Sequence, residues 1–241
     1  MSAPDRRNAV PDTGWSELEA AFGAFERSGQ RALIVTGAGD DFCAGADLSL
    51  DSDLTSAAGN AARMRGPGGA ATALFRITKP TIAAVDGAAV GAGMNLALGC
   101  DIVVATADAR FSEIFVRRGL AIDFGGTWLL PRLVGLARAR EIALTGRMVP
   151  AAEALAIGMV AAVVDRDELQ ATAMELAEDL AAGAPLAQRF IKAGLGRSDT
   201  MTFEQALAFE EQAQAILLGS ADFAEGVAAF LGKRPPGFSG R

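Results

Sequence analysis

The chain has 241 residues, 51% of them apolar, which is enough for a large domain with a substantial core. Its net charge of −7 disfavours nucleic acid as a partner, because phosphate contacts need clustered Lys and Arg. The sequence contains no histidine and no tyrosine. Ser-His-Asp and Cys-His catalysis, His-ligated zinc and imidazole chemistry are thereby excluded, so proton transfer must use carboxylates, lysine, thiols, water or backbone groups.

The cysteines and the apolar runs indicate the compartment. Cys43 and Cys100 are the only cysteines and have no CxxC spacing, which favours a reducing environment and a structural role for both thiols. Residues 1–14 lack the apolar core of a signal peptide, and no uncharged apolar run approaches the roughly 20 residues that span a bilayer. The sequence therefore predicts a cytoplasmic protein that is not bound to a membrane.

In the first half of the chain, short apolar runs alternate with Gly-rich turns and helical stretches. The apolar runs predict buried strands, at residues 32–36, 81–85 and 102–105. Helices are predicted between them, at residues 57–77 and 93–99, and the Ala- and Gly-rich residues 52–73 are interpreted as a mobile loop that runs into the first of these helices. Strand–helix alternation is typical of parallel pairing, so we expect an α/β fold.

The second half of the chain changes to helices alone. Apolar residues at three- and four-residue spacing predict them at residues 167–182, 185–195, 203–218 and 221–231. A helical region this apolar needs a surface to cover, either on its own chain or on another subunit. We therefore expect a core at residues 1–182 and a C-terminal helical region at residues 183–241.

Two segments rich in small residues follow predicted strands, at residues 41–48 and 86–95. Small residues allow the backbone to approach a ligand closely, and Gly45 can adopt a positive φ that turns an N–H outward. The second segment also opens a helix, where free N–H groups favour negative charge. Taken singly, each segment is more typical of a tight turn than of a site.

Taken together, the motifs of this chain resemble the crotonase superfamily, the enoyl-CoA hydratase/isomerase family. The resemblance covers nearly the whole chain in the family's order, through Val35-Thr36-Gly37, FCAGADL at 42–48, KPTIAAVDG at 79–87, GAGMNLALGCDI at 91–102, GGTWLLPRL at 125–133 and Leu144-Thr145-Gly146. It implies a spiral of ββα units followed by helices that build a homotrimer or a dimer of trimers. It also implies an acyl-CoA thioester substrate, with coenzyme A as part of the substrate and with no separate cofactor or metal.

The same resemblance implies the residues that bind the thioester. Its carbonyl oxygen would lie between two backbone N–H donors, which fall on Ala46 and Ala92. Coenzyme A would be lined by residues near the first segment, namely Arg7, Ala9, Ala44, Asp47 and Leu48. Lys233 is a candidate for a phosphate contact, and a solvated chain end is the alternative interpretation for it. Family members usually have a strand hairpin before the segment matching residues 5–10, so here that hairpin is expected to be short or missing.

The residues that would decide the reaction depart from the hydratase pattern. Hydratases of the family use two glutamates that flank one water, and the matching positions here are Asn95 and Phe115. Neither side chain exchanges a proton, so two-glutamate hydration is not expected. Glu113 is two residues out of register and, on a helix, would point elsewhere. We interpret it as a solvated or ion-paired glutamate, with a catalytic role as the alternative.

Asp123 is the carboxylate that fits the family's pattern. Several isomerases of the superfamily carry an acid at this point, and those acting on ring-epoxidised phenylacetyl-CoA also pair it with asparagine at the position of Asn95. The apolar neighbours Phe115, Ile122 and Phe124 are expected to raise its pKa by desolvation. The structural alternative is that Asp123 caps the following helix.

Three function classes follow from this pattern. A single carboxylate favours an acyl-CoA isomerase that moves a proton along the acyl chain while backbone N–H groups hold the enolate. The second class is a hydratase or hydrolase whose water is held by Asn95 with Asp123 or Glu113. The third is an acyl-CoA-binding protein without catalytic activity.

Overall fold

The computed structural model describes residues 1–48 and 56–241, and these form two compact units. The first unit comprises Met1–Gly29, Ile34–Ile77 and Thr81–Glu175. The second comprises Gln30–Leu33, Thr78–Pro80 and Leu176–Arg241.

The first unit alternates strands and helices along the chain. Its strands are β1 (Leu33–Thr36, which begins in the second unit), β2 (Thr81–Val85), β3 (Ala88–Val90), β4 (Ile102–Thr106), β5 (Arg110–Ser112), β6 (Val149–Pro150) and β7 (Ala162–Val164). Its helices are α1 (Asp12–Arg27), α2 (Ala57–Arg63), α3 (Arg65–Phe75), α4 (Ala92–Leu98), α5 (Gly126–Val134), α6 (Leu136–Thr145) and α7 (Ala151–Ala156), with short 3₁₀ helices at Pro4–Arg6 and Ile114–Arg118.

The larger sheet has the strand order β1-β2-β4-β7. Strand β2 pairs in parallel with β4, aligning Ile82 with Ile102 and Val85 with Ala105, and β4 pairs in parallel with β7. All five residues of β2 are buried, as expected of a central strand in a parallel sheet that is covered on both faces. The predicted α/β fold with parallel pairing is thus confirmed, and all three predicted strands are present within one residue at each end.

A smaller sheet places the functional segments, and its strand order is β3-β5-β6. Strands β3 and β5 run in parallel, so their carboxyl ends, Val90 and Ser112, lie side by side. The chain leaves β3 into α4 through Gly91 and leaves β5 into the 3₁₀ helix through Glu113. The residues that follow the two strands therefore meet at one edge of this sheet.

The second unit is helical. It contains the C-terminal part of α8 (Leu169–Ala182) and all of α9 (Pro185–Leu195), α10 (Phe203–Leu217) and α11 (Ala221–Gly232). The chain end folds back on α11, because Asp222 accepts hydrogen bonds from the backbone N–H groups of Ser239 and Gly240. Helices α9, α10 and α11 line an apolar cavity of about 780 Å³, and Phe230 and Leu231 are 83% and 75% exposed.

The predicted helices are present, and the structure differs from the prediction in two ways. The helix predicted at residues 57–77 is interrupted at Met64 and forms α2 and α3, while residues 52–55 of the predicted loop lie outside the described residues. Helix α1, which buries Trp15, Phe22 and Phe25, was not predicted.

No single helix of the described residues is long and apolar enough to cross a membrane. Helices α10 and α11 reach the necessary length and apolar composition only as a pair, and the pair is bent by 77°.

Candidate active site

The two segments rich in small residues lie side by side in the first unit. Cys43 forms a parallel bridge with Ala89, in which its N–H donates to Ala88 O and its carbonyl accepts from Val90 N, both at 2.9 Å. Gly45 has a φ of 92°, and a methyl group added to it would lie 2.7 Å from Val90 O. Only glycine allows this close approach.

The N–H groups of Ala46 and Ala92 come from these adjoining segments. A Cβ atom at Gly45 would lie 3.5 Å from Ala92 N, so the segment that leads to Ala46 passes directly over the start of α4. Among the described residues, neither N–H donates a hydrogen bond to another protein group. The structure therefore brings the N–H groups of Ala46 and Ala92 together in adjoining segments.

Asn95 lies one turn beyond Ala92 on α4 and is fully buried. Its Nδ2 donates to Glu113 Oε2 at 3.3 Å and to Asp123 O at 3.0 Å. These contacts use both hydrogens of the amide and fix which way it points. Asn95, Glu113 and Asp123 thus form one amide–carboxyl cluster, a name kept for these three residues below.

The position of Glu113 corrects the sequence interpretation. Its side chain has no exposed surface, and it does not form a salt bridge within the described residues, so it is neither solvated nor ion-paired. Residue 113 precedes the 3₁₀ helix Ile114–Arg118 and directly follows β5, so the argument from helical phase was wrong. The burial of Glu113 has a signal in the sequence. The acid stands among apolar residues, with Phe111 on one side and Ile114 and Phe115 on the other.

Asp123 lies in a loop held in an unusual conformation. Phe124 and Gly125 have φ values of 49° and 81°, and a positive φ at a bulky residue is rare. The Phe124 ring is buried against Trp15 of α1, with centroids 5.7 Å apart, and this contact anchors the loop. Gly125, without a capping side chain, occupies the N-cap of α5, so the interpretation of Asp123 as a helix cap is wrong.

Three atoms of the amide–carboxyl cluster are buried and have no hydrogen-bond partner among the described residues: Asn95 Oδ1, Glu113 Oε1 and Asp123 Oδ1. Buried polar atoms are nearly always paired, so such a group indicates a place where a ligand or water binds.

Burial raises the pKa of Asp123 to about 6, in the direction expected from its apolar neighbours. Burial raises the pKa of Glu113 to about 8; the hydrogen bond from Asn95 opposes the rise and the negative charge of Asp123 adds to it. Both carboxyl groups can therefore exchange protons near neutral pH.

The surroundings of the cluster are apolar. The ring of Phe115, which occupies the second hydratase position, is buried and lies near Gly91, whose added Cβ would be 3.5 Å from Phe115 Cζ. On the other side, Asn95 lines a cavity of about 540 Å³ together with Phe75, Phe124 and Trp128. Trp128 is 36% exposed and meets Phe75 edge to face at 5.3 Å.

The coenzyme A candidates of the first unit lie close together. Ala44 N donates to Arg7 O at 2.9 Å, and the neighbouring Val10 forms a parallel bridge with Ala46. The side chain of Arg7 is 73% exposed. Ala9 is half-buried and Leu48 is 62% exposed. Asp47 is buried, its carboxylate pairs with Arg6 at 2.6 Å, and its N–H donates to Val10 O at 2.9 Å.

Lys233 belongs to the second unit. It follows α11 in a left-handed conformation and is exposed, and its N–H donates to Phe230 O at 3.2 Å.

Within the described residues, no group of three or more His, Cys, Asp or Glu side chains could hold a metal ion. Both cysteines are buried and free, in agreement with a structural role.

Comparison with known proteins agrees with this geometry. The model of the enoyl-CoA hydratase/isomerase family matches residues 1–241, the whole chain. The chain belongs to this family. An enoyl-CoA hydratase structure from Bacillus anthracis superimposes with a TM-score of 0.95 and 31% identity, covering 100% of this chain and 94% of that one. The fold is therefore the crotonase fold.

Relatives with different activities are similar to the chain. It is 40% identical over 247 residues to 1,2-epoxyphenylacetyl-CoA isomerase of Escherichia coli strain K12, covering 100% of this chain and 94% of that protein. It is 35% identical over 248 residues to short-chain-enoyl-CoA hydratase of Clostridium acetobutylicum, covering 100% and 93%. Membership of the family thus leaves the reaction to be inferred from the site residues.

Proposed function

We propose that this enzyme isomerises an unsaturated acyl-CoA through a thioester enolate. The observation that carries the proposal is Asp123, a half-buried carboxyl group with a buried oxygen that has no hydrogen-bond partner in the part of the chain that the structure describes. It lies in a site where the two hydratase positions hold Asn95 and Phe115. The similarity to 1,2-epoxyphenylacetyl-CoA isomerase supports the same conclusion.

In the proposed mechanism the Asp123 carboxylate removes a proton from a carbon next to the thioester carbonyl. The electron pair of the broken C–H bond moves onto the carbonyl oxygen, and the N–H groups of Ala46 and Ala92 donate hydrogen bonds to the resulting enolate. Fixed donors of this kind typically contribute roughly 3–4 kcal/mol each. Asp123 then returns its proton two carbons along the acyl chain, which moves the double bond and restores the carboxylate.

Residues of the first unit are proposed to bind coenzyme A. We infer that Arg7, Ala9, Ala44, Asp47 and Leu48 line its path. Lys233 of the second unit is retained as a separate candidate for a phosphate contact. The acyl group would lie in the cavity of about 540 Å³ beside Asn95, whose aromatic walls suit an apolar group.

We also propose a homotrimer or a dimer of trimers. In the single chain the second unit exposes apolar side chains, with Phe230 at 83% and Leu195 at 70%, and monomeric proteins rarely expose so much apolar surface in one place. Light scattering after size exclusion tests this proposal. A monomer at micromolar concentration would contradict it.

Replacement of Asp123 by asparagine tests the isomerase proposal. With a panel of 2-enoyl- and 3-enoyl-CoA substrates of several chain lengths and aryl groups, we expect Asp123→Asn to lower the isomerisation rate roughly 10²–10⁴-fold. Asp108→Asn, at an exposed turn residue, is the matched control and should retain full activity. Unchanged turnover in Asp123→Asn would remove Asp123 from the mechanism.

The alternative is a hydratase with an atypical water site. It is favoured by one observation, that three unpartnered oxygens of the amide–carboxyl cluster could hold a water. Loss of enoyl absorbance on addition of a short 2-enoyl-CoA, with a 3-hydroxyacyl-CoA as product, would favour hydration over isomerisation. Binding of both substrate classes without turnover would instead indicate an acyl-CoA-binding protein.

A further inference from the structure

Glu113 is a buried carboxyl group that the proposed mechanism does not use. It has no exposed surface, and it does not pair with Lys or Arg among the described residues. A carboxylate in such surroundings is costly, because bulk solvent does not reach it and no Lys or Arg of the described residues compensates its charge. Its presence at the centre of the site therefore needs an explanation.

The contact of Glu113 with Asn95 is specific. Glu113 Oε2 and the backbone carbonyl of Asp123 accept the two amide hydrogens of Asn95 Nδ2, at 3.3 and 3.0 Å. If Glu113 were absent, one buried N–H of Asn95 would lose its partner and the amide could turn. Glu113 thus determines the direction of Asn95 Oδ1, one of the three cluster oxygens that have no hydrogen-bond partner among the described residues.

Glu113 and Asp123 also share one desolvated space, and the negative charge of Asp123 disfavours ionisation of Glu113. Two negative charges in such a space are unfavourable, so one proton stays with the pair. The more deeply buried Glu113 holds it more tightly, since its pKa is about 8 against about 6 for Asp123. Between these values Asp123 is ionised and Glu113 is neutral.

Other titratable groups near Glu113 face away from it. Helix α4 carries no titratable side chain, and Arg110 of β5 is exposed. In the 3₁₀ helix, Arg117 and Arg118 are exposed, and Arg117 Nε donates to Thr145 O at 3.0 Å. The titratable side chains of α6, which packs on this 3₁₀ helix, are also exposed: Arg138, Arg140 and Glu141. Asp123 is therefore the ionisable neighbour that matters.

We propose that Glu113 is a positioning residue that works in its neutral form, fixing the Asn95 amide and leaving Asp123 free to be the carboxylate base. The inference rests on the proposed function, since it concerns the site at which that reaction would occur. It explains why an acid lies where none of the described residues neutralises its charge. It also predicts that ionisation of Glu113 inactivates the enzyme, because a second negative charge beside Asp123 would oppose the negative charge that develops on the enolate.

Glutamine has the shape and hydrogen-bonding capacity of a neutral glutamic acid. The variant Glu113→Gln therefore distinguishes a neutral positioning group from a group that must give up its proton. We expect its kcat/KM at pH 7 to stay within about fivefold of the wild type, the equivalent of one weak neutral hydrogen bond. The wild-type loss of activity above pH 8 should disappear, while the loss below pH 6 should remain. Glu113→Ala should lose about 10²-fold, as expected when a site group is misplaced.

Glu17→Gln, at an exposed glutamate of α1, is the control and should leave both limbs of the pH profile unchanged. The proposal is overturned if folded Glu113→Gln loses more than about 10²-fold at pH 7, because Glu113 would then have to give up its proton. It is equally overturned if the alkaline limb persists in Glu113→Gln. The pH profile can be measured on isomerisation or on hydration, whichever the enzyme catalyses.

A measurement without substrate makes the inference independent of the reaction. Infrared difference spectra of the free enzyme should show a protonated carboxyl band that is lost with a midpoint near pH 8 and is missing in Glu113→Gln. If the band titrates as expected and no acyl-CoA is isomerised, the proposed function fails and the protonation of Glu113 stands. If no such band exists above pH 6, the neutral Glu113 is disproved whatever the reaction.

Discussion

The backbone of Gly126 lies directly against the side-chain amide of Asn95. A methyl group added at Gly126 would come within 2.6 Å of Asn95 Cγ, closer than real Cβ atoms approach a neighbour. Gly126 N also donates to Asp123 O at 3.0 Å, the same carbonyl that accepts from Asn95 Nδ2. The first residue of α5 thus holds both the amide and the loop that carries Asp123.

Gly126→Ala should therefore damage catalysis more than folding. We expect the displaced Asn95 amide to lower kcat about 10²-fold, since a shift of this size in a site is known to have such an effect. Gly29→Ala is the matched control, because an added Cβ there meets no atom within 4 Å. Steady-state kinetics and thermal unfolding of both variants give the comparison, and a fully active Gly126→Ala would show that the amide position is unimportant.

Ala92→Pro tests the backbone donor directly. Proline fits the first position of a helix and lacks an N–H, so the variant removes the proposed donor while α4 remains intact. We expect kcat to fall roughly 10²–10³-fold. Ala92→Gly, which keeps the N–H, should retain most activity. Equal activities of the two variants would contradict a role for this N–H.

Asp123 should control the acidic limb of the pH profile. Burial raises the pKa of this group to about 6, so it is ionised at pH 7 and protonated at pH 5. If it is the base, kcat/KM should fall by about tenfold per pH unit below 6. Circular dichroism across the same range identifies acid unfolding as a separate cause. A flat kcat/KM between pH 7 and 5 in folded enzyme would exclude Asp123 as the base.

The stability of the wild type should fall as the pH rises towards 8. The pKa of Glu113 is raised from 4.5 to about 8 in the folded protein, so the folded state binds this proton more tightly than the unfolded state. The stability linked to the proton is fully present below pH 4.5 and is lost as the pH rises through about 8.

Urea unfolding of wild type and Glu113→Gln between pH 6.5 and 8 isolates this effect, because Asp123 is largely ionised there in the folded state. We expect the wild type to lose up to roughly 1.4 kcal/mol per pH unit relative to the variant. Parallel stability curves for the two proteins would mean that Glu113 is already ionised.

The thiol of Cys43 should be inert in the folded enzyme. Burial raises its pKa to about 11, with small opposing contributions from the backbone N–H of Gly45 and from the N-terminal charge, so almost no thiolate forms at pH 8. Iodoacetamide at pH 8 should leave Cys43 unmodified in the native protein and alkylate it in urea, as mass spectrometry would show. Rapid native alkylation would indicate that the segment opens.

The elements that position the site could be predicted because their signals are local. Strand β2 is a run of five buried residues bounded by turns, and the glycines at 45 and 91 mark close backbone approach. The amide–carboxyl cluster could not be predicted in full, because its geometry depends on contacts between distant residues. Asn95 and Glu113 meet only because β3 and β5 are parallel neighbours.

Errors in the sequence interpretation share this origin. The helical phase assumed for Glu113 does not apply to a residue between a strand and a 3₁₀ helix. Asp123 precedes a helix, yet Phe124 and Gly125 turn the chain so that its carboxyl group does not cap α5. Helix α1 was within reach of periodicity, since its buried aromatic residues Trp15, Phe22 and Phe25 recur at helical spacing.

The bridge between Cys43 and Ala89 has a consequence for how such enzymes diversify. It places Ala46 and Ala92 through main-chain hydrogen bonds, and a substitution changes side chains while leaving nearly every main-chain N–H in place. Mutations can therefore exchange the three residues of the amide–carboxyl cluster without loss of the donors. Relatives with different activities, at 35% and 40% identity to this chain, are what such exchanges would produce.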